Sequence, residues 1–224
     1  MGIAENITKL RKEIPQHVKI IAVTKTMPVE IVTQAYDAGH RVFGENRVQE
    51  LMQKNQELPA DIEWHLIGHL QTNKIKFVVP FVHLIHSVDS LKLLSAINHD
   101  ASGLNRKIDC LLQMRIAREE TKFGLSFEQA EQILCSNEFS DFQHIIITGL
   151  MGIATFTDNF RQIRDEFLLL AGHFEEIKAK GFPHDQSFTE LSMGMSGDYK
   201  IAIEAGSTMI RIGSLIFGER NYHL

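Results

Sequence analysis

A lysine stands where a long apolar run gives out. The segment Lys19-Ile20-Ile21-Ala22-Val23-Thr24-Lys25-Thr26-Met27-Pro28 reads as a strand buried on both faces, because five mostly β-branched or apolar residues follow one another. Pro28 stops the strand and suits the first turn of a helix. A lysine at the carboxyl end of a buried strand is well placed for Schiff-base chemistry, since desolvation favours its neutral, nucleophilic amine. The competing reading of Lys25 is a strand-end lysine that extends its ammonium to solvent.

Other residues fit for ligand chemistry follow the later apolar runs. They are Gly44-Glu45-Asn46-Arg47, Gly68-His69-Leu70-Gln71-Thr72-Asn73-Lys74, Thr148-Gly149-Leu150-Met151-Gly152, Ser192 to Asp198, and Gly213-Ser214. Glycines let a backbone come close to a ligand, and N–H groups at helix starts favour a phosphate. Ordinary strand-to-helix turns with capping serines have the same composition. Combined with a strand-end lysine, these loops suit a phosphorylated aldehyde. Arg211 sits in an apolar run two residues before Gly213. A buried arginine keeps its proton and needs a partner. Opposite the ring nitrogen of pyridoxal phosphate it would donate a hydrogen bond, oppose ring protonation and weaken the ring as an electron sink. A salt bridge with Glu45 or Glu190 is the alternative.

The elements that must position these residues alternate along the whole chain. After a leading helix over 3–14 and the strand ending near Lys25, a helix is expected over 29–38, a strand over 41–43 and a helix over 46–57. Strands follow over 62–67, 82–86, 108–115 and 144–148, separated by helices over 73–79, 91–99 and 127–135. Ser87 or Asp89 caps the second of those helices and Ser126 the third. A long helix over 158–180, a strand over 187–191, a helix over 198–204 and a strand over 209–212 complete the pattern. Eight strand–helix units with no linker or break in composition predict an α/β fold, a single-domain (β/α)8 TIM barrel spanning residues 1–224. The competing fold is an open doubly wound sheet. In a barrel, function sits on the loops leaving the carboxyl ends of the strands, with phosphate commonly held by the last two.

Composition excludes several function classes. A net charge of -5 argues against a dedicated nucleic-acid binder. The two cysteines, Cys110 and Cys135, lack metal-ligand spacing and fit a reducing compartment. The first twelve residues are neither a signal peptide nor a membrane span, so a cytoplasmic protein is expected. His65 and His69 lie four apart, but on a strand-to-loop segment where that spacing puts them on no common face, and no metal is expected there. His83 and His86 flank an apolar strand and read as packing or rim residues, Trp64 as core, and Arg115 to Lys122 as a solvated loop.

Several blocks together resemble the YggS/PROSC pyridoxal-phosphate homeostasis proteins. They are Ala22-Val23-Thr24-Lys25-Thr26, Phe43 to Glu50, Trp64 to Lys74, Leu191 to Ser196 and Gly206 to Gly218, in family order from about Lys19 to Arg220. The resemblance implies a single-domain barrel like the N-terminal domain of alanine racemase, with pyridoxal 5'-phosphate as a Schiff base on Lys25. It also implies that Ser196, Gly213 and Ser214 hold the phosphate, that Arg211 faces the ring nitrogen, and that Asn46 lies near the ring. One departure is visible: the sixth loop of the family usually reads Gly-Leu-Met followed shortly by Pro, whereas here it is Gly149-Leu150-Met151-Gly152-Ile153-Ala154.

A racemase-like mechanism needs a second base across the substrate from the lysine, which alanine racemase takes from the extra domain of a partner subunit. The eighth unit here is followed only by the residues to Leu224, and Tyr36, Tyr199 and Tyr222 fall in helix patterns or the tail. The expected function is therefore a non-catalytic carrier and buffer in PLP homeostasis, with an amino-acid racemase as the alternative. The expected partners are PLP and PLP-dependent apo-enzymes, and the expected state is a monomer.

Overall fold

The computed structural model describes residues 2–117, 123–181 and 187–218. Residues 118–122 of the expected solvated loop, and Tyr222, lie outside them. Eight parallel strands close into a barrel in sequence order, β8 returning to pair with β1. The strands are β1 (Lys19–Val23), β2 (Val42–Glu45), β3 (Glu63–Leu66), β4 (Leu84–Val88), β5 (Ile108–Met114), β6 (Ile145–Gly152), β7 (Glu190–Met195) and β8 (Met209–Ile212). Outside them run α1 (Ile3–Glu13), α2 (Val29–Asp37), α3 (Val48–Glu57), α4 (Ile75–Val78) and α5 (Leu91–Ser102). The later helices are α6 (Phe127–Leu134), α7 (Asn137–Ser140), α8 (Phe160–Gly181), α9 (Tyr199–Glu204) and α10 (Ser214–Phe217). The closed order excludes the open doubly wound sheet.

Alternation along each strand divides the apolar residues into two shells. Outward residues such as Ala22, Phe43, Trp64, Leu66, Ile85 and Ile147 pack under the helices in one large core. Inward residues Ile21, Leu84, Leu111, Met151 and Met209 form a small second cluster inside the barrel. The small inner cluster leaves room along the barrel axis for polar side chains.

Helix starts follow local chemistry. Ser126 accepts from Gln129 N–H at 3.2 Å while the Gln129 side chain reaches back to Ser126 N–H at 2.9 Å, as expected of a capping box. The cap of α5 is Ser90 rather than Ser87 or Asp89, its hydroxyl accepting from Leu93 N–H at 3.3 Å. Ser87 is drawn away because its hydroxyl donates to the Gly68 carbonyl at 2.6 Å. The expected helix over 73–79 is a 3-10 turn at Thr72–Lys74 leading into α4, and α7 and α10 are additions to the expected set.

The larger differences lie in β6 and β7, which run on through segments expected to be loops. Glycines caused the misreading. In β6, Cys110 and Leu111 of β5 face Ile147 and Gly149, so Thr148 is an extra, bulged residue. A Cβ at Gly149 would come within 1.7 Å of the Glu190 carbonyl oxygen, so glycine there permits close pairing of β6 with β7 rather than a turn. In β7, Ser192 and Met195 face Met209 and Arg211, which again leaves one extra residue, with Gly194 at φ +94°. A third bulge falls in β4 between Ile85 and Val88.

His40, between α2 and β2, is buried, and its Nε2 lies 2.8 Å from the Val42 carbonyl oxygen. Burial pulls its pKa from 6.5 down to about 4. Between those values the unfolded imidazole takes up a proton that the folded one refuses, so stability falls as pH falls across the window. One proton costs about 1.4 kcal/mol per pH unit, on the order of 3 kcal/mol in total. Urea melts at pH 7 and pH 4.5 should show a smaller loss of stability for His40→Gln than for the parent chain. Equal losses would mean that His40 titrates normally.

Candidate functional site

Lys25 occupies the second position of a turn closed by Met27 N–H donating to the Thr24 carbonyl at 2.9 Å. The next residue, Thr26, has φ +64°, a left-handed conformation that costs a residue with a Cβ about 1–2 kcal/mol. Its N–H is paired instead with α3, donating to Glu50 Oε2 at 2.7 Å. One helical turn farther along α3, the buried Lys54 Nζ donates to the Thr24 carbonyl at 2.7 Å and to Glu45 Oε1 at 2.5 Å. Thr24 Oγ1 donates to the same carboxylate oxygen at 2.6 Å. Glu50 and Lys54 therefore clamp the turn on both sides of Lys25. Burial raises the Glu45 carboxyl above its ordinary range, and the Lys54 ammonium opposes that rise. Lys25 is half-buried and makes no hydrogen bond or ion pair among the described residues, so its amine is uncommitted.

Asn46 directly follows β2, half-buried at the same barrel end. A Cβ at Gly68 would stand 2.3 Å from the Asn46 carbonyl oxygen and 2.7 Å from its Cα. Glycine at 68 thus lets the loop after β3 rest directly on the Asn46 backbone and hold it.

On the other side of β1, the ends of β7 and β8 meet. Gly213 N–H donates to Ser196 Oγ at 3.3 Å, joining the last two loops, and Ser214 opens α10 with its side chain exposed. Asp198 Oδ1 accepts from Met195 N–H at 2.5 Å and folds the intervening Ser196-Gly197 into a tight turn.

Arg211 is buried and, among the described residues, forms no salt bridge: neither Glu45 nor Glu190 reaches it. Its Nη1 donates to Ser192 Oγ at 2.7 Å and its Nη2 to the Gly152 carbonyl at 2.9 Å. Burial pulls the guanidinium down to about 10, with Asp198 the charge that opposes this, so it remains a cation at neutral pH. Gly152, which departs from the family pattern as part of Gly149-Leu150-Met151-Gly152-Ile153-Ala154, is the last residue of β6 and supplies that carbonyl. Behind Arg211 a chain of polar groups runs down the barrel interior. Ser192 Oγ lies 3.0 Å from His86 Nδ1, and His86 Nε2 lies 2.9 Å from His65 Nδ1. Burial holds both imidazoles well below their ordinary pKa, so both are neutral.

The chain matches the family model for the alanine racemase N-terminal domain over residues 2–221. A pyridoxal phosphate homeostasis protein of Aquifex aeolicus (strain VF5) is 38% identical over 206 residues, 91% of this chain and 88% of that protein. Its Homo sapiens counterpart is 38% identical over 215 residues, 91% of this chain and 77% of that one. This chain belongs to the YggS/PROSC family of pyridoxal phosphate homeostasis proteins. PipY of Synechococcus elongatus PCC7942, solved without PLP, superimposes with a TM-score of 0.91 at 37% identity, covering 97% of this chain and 100% of that one. The PLP-bound form of PipY gives 0.89. Alanine racemase of Clostridium difficile 630, at 14% identity and a TM-score of 0.78, shares the fold with this family member over 99% of the present chain and 58% of its own.

Lys25, Asn46, Ser196, Arg211, Gly213 and Ser214 all fall at the carboxyl ends of β7, β8, β1 and β2, which are consecutive around this closed barrel. Sequence reading gave no holding role to Glu50 or Lys54, took His86 for a packing or rim residue, and placed Ser192 only at the start of a ligand-facing loop, whereas it lies within β7. A signal for Lys54 exists, because it interrupts the buried stripe of α3 formed with Val48 and Leu51. His86 and Ser192 lie at or beside bulges, which break the alternation that would have pointed them inward on paper.

Proposed function

We infer that this chain binds pyridoxal 5'-phosphate, holds it as a Schiff base on Lys25, and serves intracellular PLP (vitamin B6) homeostasis as a non-catalytic carrier. The observation that carries this reading is the convergence, on four neighbouring strands, of an uncommitted lysine amine and two joined Gly/Ser loops, with a buried arginine between β8 and β6. The residues fit the cofactor. Lys25 offers the nucleophile, and its condensation with the aldehyde releases one water. The Ser196 hydroxyl, held by the Gly213 N–H, and the N–H and hydroxyl of Ser214 would supply donors to a phosphate. Arg211 uses two of its five N–H donors on Ser192 and Gly152, which keeps the planar guanidinium fixed and its charge available against protonation of a ring nitrogen. Bound PLP supplies a reactive aldehyde and an electron sink, and the arginine damps the second property.

The carrier reading over the racemase reading rests on the tyrosines. Tyr36 donates its hydroxyl to Asp61 at 2.7 Å and Tyr199 donates to Glu13 at 3.0 Å, both occupied away from the lysine turn. The same reading takes the protein as a monomer that passes PLP to PLP-dependent apo-enzymes. Two free cysteines agree with a cytoplasmic location. No helix among the described residues is long and apolar enough to cross a membrane.

The deciding experiment is a visible spectrum of the PLP-loaded protein before and after D- and L-alanine, with chiral analysis of the products. A Schiff-base band with no racemised or deaminated alanine is expected. Turnover at about 1 s⁻¹ or more would make the protein an enzyme. The Ser196→Ala/Ser214→Ala double variant should retain PLP at least ~100-fold less tightly, since two hydrogen bonds to a charged group are lost, each worth about 1.5–3 kcal/mol. Unchanged retention in equilibrium dialysis would locate the phosphate elsewhere.

A further inference from the structure

The opposite mouth of the barrel, at the amino ends of the strands, carries side chains that the cofactor reading does not use. Glu63 and His65 lie two residues apart on β3 and so project to one side of the strand, and His83 directly precedes β4 beside them. Among the described residues these three form the one group of three or more His, Cys, Asp or Glu whose ligand atoms, one from each side chain, lie within 4.8 Å of one another. His83 Nε2 stands 3.8 Å from Glu63 Oε2, and the His83 ring stacks on His65 with centroids 5.6 Å apart and planes 16° apart.

His65 supplies an independent observation. It is fully buried, and its Nδ1 is engaged with His86 Nε2 at 2.9 Å. Its Nε2 is buried and has no hydrogen-bond partner. A buried ring nitrogen without a partner is costly, and a bound cation would relieve it.

We propose that Glu63, His65 and His83 bind a divalent first-row transition cation, with Zn²⁺ as the reference ion and a fourth position open to solvent. Two imidazoles and a carboxylate are a donor set suited to such cations, which hard-oxygen binders such as Mg²⁺ use poorly. The second ring nitrogen of His65 has the backing that metal-bound histidines require: with Nε2 on the cation, Nδ1–H donates to His86 Nε2, and His86 Nδ1–H donates to Ser192 Oγ. The surrounding charge also suits a cation. Lys19 is shared with Glu190 at 3.8 Å, and Asp109 faces both His83 and Lys19, so Glu63, Asp109 and Glu190 outnumber the one ammonium. Closing the group from 4.8 Å to ligand spacing needs movement only of Glu63 and His83, which are 44% and 48% exposed at the side chain.

The test is a competition titration of Zn²⁺ between a chromophoric chelator and the chelator-washed full chain, repeated with Co²⁺ as a spectroscopic substitute. One equivalent with Kd on the order of 1 μM or tighter is expected. His83→Ala and Glu63→Gln, both at half-exposed positions, should each weaken it at least ~10-fold and abolish the intense visible Co²⁺ bands of a low-coordinate site. Absence of a stoichiometric equivalent, or the same affinity in both variants, overturns the proposal. Neither residue touches the Lys25 end, so both variants should load PLP as the parent chain does, and failure of the cation site leaves the PLP reading standing.

Discussion

Lys25→Ala protein, loaded with pyridoxal phosphate and freed of excess ligand, should be colourless. It should also yield no covalent adduct on borohydride reduction, where the parent chain yields one equivalent on the peptide containing Lys25. The expectation follows from the uncommitted state of the amine. Among the described residues no carboxylate neutralises it and no carbonyl takes its protons, while the backbone on both sides is fixed by α3. Folding should be little affected, because removing a half-buried side chain with no partner falls among substitutions that shift stability by roughly 0.5 kcal/mol. Thermal melting of the apo-protein checks this half of the claim. A variant that keeps both the band and the trapped adduct would move the Schiff base to another lysine, and the proposed function would then lose its nucleophile.

The second large effect belongs to Lys54. Its ammonium is buried, 2.5 Å from a fully buried Glu45, and Lys54→Met strands that carboxylate without its counter-charge. Breaking one side of a buried pair costs about 3–5 kcal/mol. In a chain of this size that corresponds to a melting-point loss on the order of 10 °C. The double variant Lys54→Met/Glu45→Gln should recover most of the loss, since the penalty is an uncompensated charge rather than a missing attraction. The Thr24 carbonyl also loses a donor, so the Lys25 turn should loosen and PLP loading fall even where the fold survives. A single variant as stable as the parent would mean that Glu45 is already neutral when folded, a state toward which its burial pushes it.

These two residues differ in how far the sequence exposes them. Lys25 is legible because a strand end is marked by local rules: an apolar run, then a charge, then proline. Ser196, Gly213 and Ser214 are legible for the same reason, as small residues following strand patterns. Eight repeats of that pattern also sufficed for the barrel, because parallel strands joined by helices bury both faces and close with short connections. Lys54 looks like any helical lysine unless its place on the buried stripe is noticed.

Read alone, the residues thus settle the order of strands and helices and most strand ends, but not those of β6 and β7, which run four residues farther than their apolar patterns imply. They could not determine the registers. The bulges in β4, β6 and β7 each insert one residue, and a one-residue slip moves every later side chain to the other face. Only the closed barrel decides that Arg211 meets Ser192 and Gly152 rather than Glu45 or Glu190, and that His86 joins Ser192 to His65. The pairing of β3 with β4, which sets His65 beside Leu84, brings Glu63 and His65 against His83, eighteen positions beyond His65, where spacing along the chain carries no metal signature. Backbone preference is local and can be read one turn at a time, whereas the partners of a buried charge are chosen by packing between strands distant in sequence.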